Sequence, residues 1–77
     1  MKIDSVNIQM EKGQEILLSF ASPITAKQAM NKAKDTILTE CSRNVSKVVA
    51  NPPEHGKNLF TAYNGFQILG WITLNEK

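Results

Sequence analysis

The chain has 77 residues, with nine Lys and Arg against seven Asp and Glu, a net charge of +2 and 42% hydrophobic residues. This length allows one domain, residues 1–77, and the composition is typical of a globular protein rather than a disordered one. No apolar run approaches the ~20 residues of a membrane span, no apolar signal segment follows the first lysine, and the single cysteine allows no intrachain disulfide. We therefore expect a cytoplasmic protein without a membrane segment.

The first part of the chain predicts a β-hairpin. Residues 2–10 alternate apolar and polar side chains, which is the period of a half-buried strand. Residues 15–21 resume the same alternation. Because glycine adopts positive φ readily, Gly13 is expected to form the tight reversal between the two strands.

A helix over residues 26–43 is predicted next. Thr25 and Gln28 form the Thr-x-x-Gln pattern of a capping box, with Thr25 as the N-cap. Pro23 is expected to separate the helix from the preceding strand, and Asn44 to close it in the left-handed conformation. One stripe of the helix carries its apolar side chains, which are Ala26, Met30, Ala33, Ile37 and Cys41.

The remaining segments predict a short strand, a proline-containing loop and a second hairpin. They cover residues 45–50, 51–57, 58–63 and 66–74. Asn64-Gly65 between the last two strands is a strong signal for a two-residue hairpin turn. The predicted order is β-β-α-β-β-β. It implies an α+β fold in which an antiparallel sheet of four to five strands has one helix packed on one face.

Both faces of the C-terminal hairpin are predicted to be apolar. With Asn64-Gly65 as the turn, one face comprises Leu59, Tyr63, Phe66, Ile68, Ile72 and Leu74. The other face comprises Phe60, Ala62, Leu69 and Trp71. Since one helix covers only one face of a sheet, the second would leave an exposed patch on the order of a few hundred Å², which often marks an interface.

Three interpretations of this patch are open. Sheet twist and the chain ends could cover it, a second copy could pair through this face or an edge strand, or a different protein could bind it. A β-bulge at Gly70 would redistribute the side chains between the two faces without removing the apolar excess.

The sequence offers few groups for catalysis. Cys41 lies on the apolar stripe near the C-terminal end of the helix, where the dipole disfavours a thiolate, and is interpreted as a small buried hydrophobe. His55 is the only histidine, and one histidine with one cysteine cannot supply a zinc site of three or four such ligands. Only Glu54 is near enough in sequence to orient His55. We predict that the protein is not an enzyme and has no cofactor and no metal.

Nucleic-acid binding is the second interpretation. Lys47, Lys57, Tyr63 and Phe66 combine cations with aromatic rings on which bases could stack. Arg43 is the only arginine, and the cations are scattered, which is a poor set for bidentate recognition of phosphates or bases. We favour a protein partner or a second copy of the chain. The candidate contact residues are Tyr63, Phe66, Ile68, His55, Lys57 and Lys47.

The layout of the chain resembles that of very small phage and mobile-element proteins. The passage Ala21-Ser22-Pro23-Ile24-Thr25-Ala26-Lys27-Gln28-Ala29 connects a short hairpin to one helix, and a hairpin bearing Tyr63 and Trp71 follows. Certain type I anti-CRISPR proteins are similar in this plan, and the likeness covers most of the chain. The resemblance implies a non-enzymatic inhibitor that occludes the surface of a partner, often a nucleic-acid-binding one.

Overall fold

The computed structural model describes all 77 residues as a five-stranded antiparallel sheet with one α-helix packed on one face. The strands are β1 (Lys2–Met10), β2 (Glu15–Thr25), β3 (Lys47–Ala50), β4 (Leu59–Asn64) and β5 (Gln67–Glu76), and helix α1 (Ala26–Cys41) lies between β2 and β3. A short 3₁₀ turn, Pro53–His55, interrupts the loop before β4. The predicted α+β fold and its element order are confirmed. Neither helical segment has the length and apolar character needed to cross a bilayer.

The strands are arranged in the order β2-β1-β5-β4-β3, so the first and last strands pair in the middle of the sheet. The backbone N–H of Lys77 donates to the carbonyl oxygen of Lys2 at 3.0 Å, next to this central pair. Helix α1 packs on β1, β5 and β2. The edge strands are β2 and β3.

The core lies between α1 and one face of the sheet. Ile8 and Ile72 are opposite one another on β1 and β5, and both are almost completely buried. Ala29 and Ala33 present small side chains to them from the helix, which lets the helix approach the sheet closely. Each fully buried Ile or Leu contributes about 1.5–3 kcal/mol through loss of contact with water. The largest members of the core are Ile3, Val6, Ile8, Met10, Ile37, Leu69, Ile72 and Leu74.

The capping box begins the helix as predicted. Thr25 Oγ1 accepts a hydrogen bond from the Gln28 N–H at 3.1 Å, and Gln28 Oε1 accepts one from the Thr25 N–H at 3.0 Å. The helix ends two residues earlier than expected, because Ser42 adopts the left-handed conformation with φ 58° while its N–H donates to the Leu38 carbonyl. The expectation that Asn44 closes the helix was therefore wrong.

Pro23 lies within β2 rather than between strand and helix. The pairing of β2 with β1 runs from Glu15 to Ser19 and resumes at Ile24, so residues 20–23 bulge away from the ladder. Proline is tolerated there because β2 is an edge strand and the missing N–H removes no ladder hydrogen bond.

The C-terminal hairpin differs from the prediction by a shift in register. Asn64 pairs with Gln67, so the turn comprises Gly65 and Phe66 instead of Asn64 and Gly65. The new turn by itself keeps the same residues together on each face. A second shift follows, because Tyr63 pairs with Ile68 whereas Ala62 pairs with Gly70 and Thr61 with Trp71. The extra residue, Leu69, agrees with the β-bulge considered at Gly70, and it moves the later side chains of β5 to the other face. Phe60 therefore pairs with Ile72 on the helix side, and the predicted grouping of Ile72 and Leu74 with Leu59 and Tyr63 was wrong.

Candidate interaction surface

The sheet face opposite α1 is covered by no other helix or strand. We call it the open face. The alternation of side chains along each strand, fixed by the buried residues on the helix side, determines its members. These are Ser5, Asn7, Gln9, Glu15, Leu17, Ser19, Lys47, Val49, Leu59, Thr61, Tyr63, Trp71, Thr73 and Asn75.

The open face carries very little charge. Among these residues the only acid is Glu15 on β2 and the only cation is Lys47 on β3, and these strands are the two edges of the sheet. The inner strands add no charge to this face from Ser5 onward along β1, because Lys2 and Asp4 lie beyond Ser5 at the far end of that strand from Trp71. Trp71 lies near the middle, on the central strand β5, and is half-buried.

The polar side chains of the open face are tied to one another. Asn75 Nδ2 donates to Ser5 Oγ at 3.0 Å and to Asn7 Oδ1 at 2.6 Å. Thr61 Oγ1 donates to Asn51 Oδ1 at 2.7 Å. These groups already have hydrogen-bond partners within the protein. They therefore keep those bonds when another protein covers the face and displaces the water.

Lys47 lies over the ring of Tyr63 on the open face. Its Nζ is 5.0 Å from the ring centroid, which is the geometry of a cation–π contact. At an exposed site such a contact contributes about 0.5–1 kcal/mol. The contact directs the Lys47 ammonium group onto an aromatic ring of the same molecule.

Phe66 lies at the tip of the β4–β5 hairpin and is fully exposed. The tip itself is braced by neighbouring residues: Ser46 Oγ accepts from the Gly65 N–H at 2.9 Å, and Asn64 Nδ2 donates to the Asn44 carbonyl at 2.9 Å. Gly65 supplies the positive φ of 61° that the turn requires. A large apolar side chain is thus presented to solvent on a well-supported turn.

The six residues predicted from the sequence divide into separate regions. Lys47, Tyr63 and Phe66 lie together at the tip end of β4. His55 and Lys57 lie in the loop before β4, which is at the opposite end of that strand. A six-residue strand separates the two ends by about 17 Å. Ile68 pairs with Tyr63 in the register but lines a cleft beside the C-terminal end of α1.

Trp71, Thr73 and Asn75 were missing from the predicted contact set, although they form the central row of the open face. Their signal in the sequence is the alternation of these three residues with the buried Ile72 and Leu74. It was obscured because the predicted faces took no account of the extra residue before Gly70, which moves these three residues to the side of Leu59 and Tyr63.

Cys41 and His55, the two residues most capable of nucleophilic or acid–base chemistry, are far apart. Cys41 lines a cleft of about 180 Å³ with Ile68, next to the start of β5. His55 lies in the loop that is fastened to the end of β5, where Lys57 Nζ is 3.4 Å from Glu76. No three His, Cys, Asp or Glu side chains come together.

The contacts between this loop and the end of β5 also lower the pKa of Glu76. A hydrogen bond from the Asn58 side chain, followed by the charge of Lys57, holds the pKa of Glu76 below its ordinary value of 4.5. The Asn58 Nδ2 to Glu76 Oε1 distance is 3.0 Å. These contacts attach the loop to β5.

The fold and this surface define a small α+β domain with an uncovered and nearly uncharged sheet face. Comparison with protein-family models, with curated proteins and with solved structures found no match to this chain. The resemblance to small phage proteins stays a prediction.

Proposed function

We propose that the chain is a non-enzymatic protein-interaction module that binds a protein surface with its open face and hairpin tip. The observation that carries the proposal is the low charge around Trp71 on an uncovered sheet face, where Glu15 is the one charged side chain that lines the pocket beside the ring. The centres of protein–protein interfaces are depleted in charged residues and enriched in aromatic ones, and Trp and Tyr are frequent among the residues that dominate binding energy.

The open face also has a suitable size. The Cα atoms extend over 31 × 28 × 20 Å, and the sheet lies along the two longer dimensions because the helix layer is stacked on it. A standard interface takes about 800 Å² from each partner, which corresponds to a patch roughly 28 Å on a side. The broad side of this molecule can therefore supply such an interface without rearrangement.

Phe66 would act as an anchor in this interface. It gains nothing from contacts within the chain, whereas burying a Phe side chain in a partner's pocket contributes about 1.5–3 kcal/mol. The braced turn reduces the entropy lost when Phe66 is immobilised on binding.

Nucleic-acid binding is less well supported. Affinity for nucleic acid depends on cations that replace the counterions of the phosphates, and the inner strands supply none around Trp71. The cation at its edge, Lys47, already contacts Tyr63. A surface-occluding inhibitor, as the resemblance implies, would be one form of the protein-interaction function, because occlusion needs only a stable, flat and complementary face.

Site-specific photo-crosslinking in the cells that naturally produce the chain tests the proposal. A benzophenone amino acid is placed at Thr73 on the open face, at Phe66 on the tip, and at Asn31 on the exposed side of α1 as a control. We expect protein adducts from Thr73 and Phe66 and none from Asn31. Nuclease-sensitive adducts, equal adducts from all three positions, or no adducts at all would overturn the proposal.

A further inference from the structure

We propose that the chain pairs with a second copy of itself through the free edge of β2. In this arrangement residues 15–19 of the two copies run antiparallel, and Leu17 lies opposite Leu17 of the second copy. The observation behind it is that residues 15–19 of β2 pair without interruption, have apolar residues at their centre, and carry neither lysine nor proline. The opposite edge strand, β3, is short and carries a lysine.

The two edges of the sheet differ in their protection. Natural proteins protect edges with short strands, lysine and proline. β3 has only four residues, carries Lys47, and is followed by Pro52. The first half of β2 has neither lysine nor proline, and Leu17 is 60% exposed.

The length of the regular segment restricts the register. The β1–β2 turn precedes Glu15, and the bulge of residues 20–23, which contains Pro23, follows Ser19. Five residues are therefore available for pairing along this edge. Alternate residues of an edge strand point their N–H and C=O groups away from the sheet, so a second copy can continue the ladder.

The segment also has the symmetry that self-pairing requires. A two-fold interface places the same patch on both copies, so its pattern must be alike in both directions. Residues 15–19 have polar ends and three apolar residues in the middle. Centred on Leu17, the pairing places Ile16 opposite Leu18 of the second copy and keeps the two Glu15 carboxylates apart.

The charges beside this edge permit close approach. Lys32 and Asp35 on α1 line the groove above Leu18 and Phe20. Together they contribute no net charge, so two copies that meet along β2 do not repel one another through this rim. The half-buried side chains of Ile16 and Leu18 gain further burial when the groove is closed.

Edge pairing would produce a continuous ten-stranded sheet and leave the open face free. The two-fold axis is perpendicular to the sheet, so both helices lie on one side and both open faces on the other. Two linked binding faces bind a repetitive or dimeric partner with greater avidity than one. The two proposals can fail separately, because the pairing depends on the backbone edge of residues 15–19, whereas the binding is centred on Trp71 and Phe66.

Engineered cysteines test the register directly. On a Cys41→Ser background, Leu17→Cys places two thiols opposite each other, with Cβ atoms about 4.5–5.5 Å apart. In Ser19→Cys on the same background, the two thiols of the paired copies would be about 13 Å apart along the strands. We expect mild oxidation to give a covalent dimer of the first variant and leave the second monomeric. Equal crosslinking of both variants, or of neither, would overturn this pairing.

Light scattering after size exclusion tests the dimer without crosslinking. We expect the unmodified chain to be dimeric at high concentration and Leu17→Lys to weaken self-association at least about tenfold, because two lysines would then face each other. Val49→Lys is the matched control, since it adds the same charge on the same face at the other edge. A monomeric unmodified chain, or equal weakening by both variants, would contradict the proposal. Circular dichroism confirms that each variant is folded.

Discussion

Gly70 on β5 lies directly against Gln9 on β1: a Cβ atom at Gly70 would be 2.7 Å from the Gln9 carbonyl oxygen and 3.3 Å from the Met10 Cα. Both neighbours are backbone atoms of the central strand pair and cannot move without disturbing the β1–β5 ladder. We expect Gly70→Ala to lower the free energy of unfolding by about 1–3 kcal/mol, measured by thermal or urea denaturation.

Gly65→Asn is the control for Gly70→Ala. Nothing lies within 4 Å of a Cβ atom at Gly65, and asparagine tolerates its positive φ. Its effect should be much smaller. Equal losses for the two variants would mean that backbone freedom, and not the contact with β1, explains the glycine at position 70.

Thr25 should contribute to stability through the helix cap. Thr25→Ala removes the side-chain acceptor of the Gln28 N–H, and we expect a loss of about 1 kcal/mol in the free energy of unfolding. Thr39→Ala removes a hydroxyl from the exposed surface of the last turn of the same helix, where it donates to the Asp35 carbonyl. Alanine favours helix at that position, so Thr39→Ala should be neutral or slightly stabilising. An equal loss at both sites would contradict a capping role.

Ser46 should support the hairpin tip. Its hydroxyl accepts from the Gly65 N–H and donates to the Tyr63 carbonyl at 3.2 Å. We expect Ser46→Ala to lower stability by about 0.5–1.5 kcal/mol and to increase the nanosecond motion of the Phe66 backbone amide in NMR relaxation. Ser22→Ala, at an exposed serine of β2, should change neither quantity. Unchanged Phe66 motion in Ser46→Ala would show that the brace is unimportant.

Glu76 should make stability depend on pH. Its folded-state pKa is lowered, so its stabilising effect is present above 4.5 and is lost as the pH falls through the lowered value. Glu76→Gln keeps an acceptor for Asn58 and removes the charge. We expect this variant to melt below the unmodified chain near neutral pH, with the difference shrinking as the pH falls below 4.5. Glu54→Gln, at an exposed carboxylate without an ion pair, should show no such trend.

The elements themselves could be predicted from local patterns. Alternation identified β1 and the start of β2, and the Thr25–Gln28 pair located the start of the helix within one residue. These features depend on neighbours in sequence. The end of the helix was less predictable, because Ser42 has no intrinsic preference for the left-handed conformation that it adopts there.

The candidate surface was less accessible to sequence reasoning, because it depends on register. The extra residue between Ile68 and Gly70 determines which side of the hairpin each later residue of β5 occupies. The sequence left a β-bulge at Gly70 open, and the grouping without it assigned Ile72 to the wrong face. Nor does any local pattern show that β1 and β5 would pair, which places Trp71 on the central strand and makes β2 an edge.

The pairing of the first and last strands determines when this fold can assemble. Without β5, the segments already synthesised comprise two separate ladders, β1 with β2 and β3 with β4, and nothing joins them. Without β5 the helix can pack only on the β1–β2 hairpin, and the β3–β4 hairpin has no neighbouring strand to hold it. Assembly of the whole sheet therefore requires β5, and removal of β5 should prevent the two hairpins from joining.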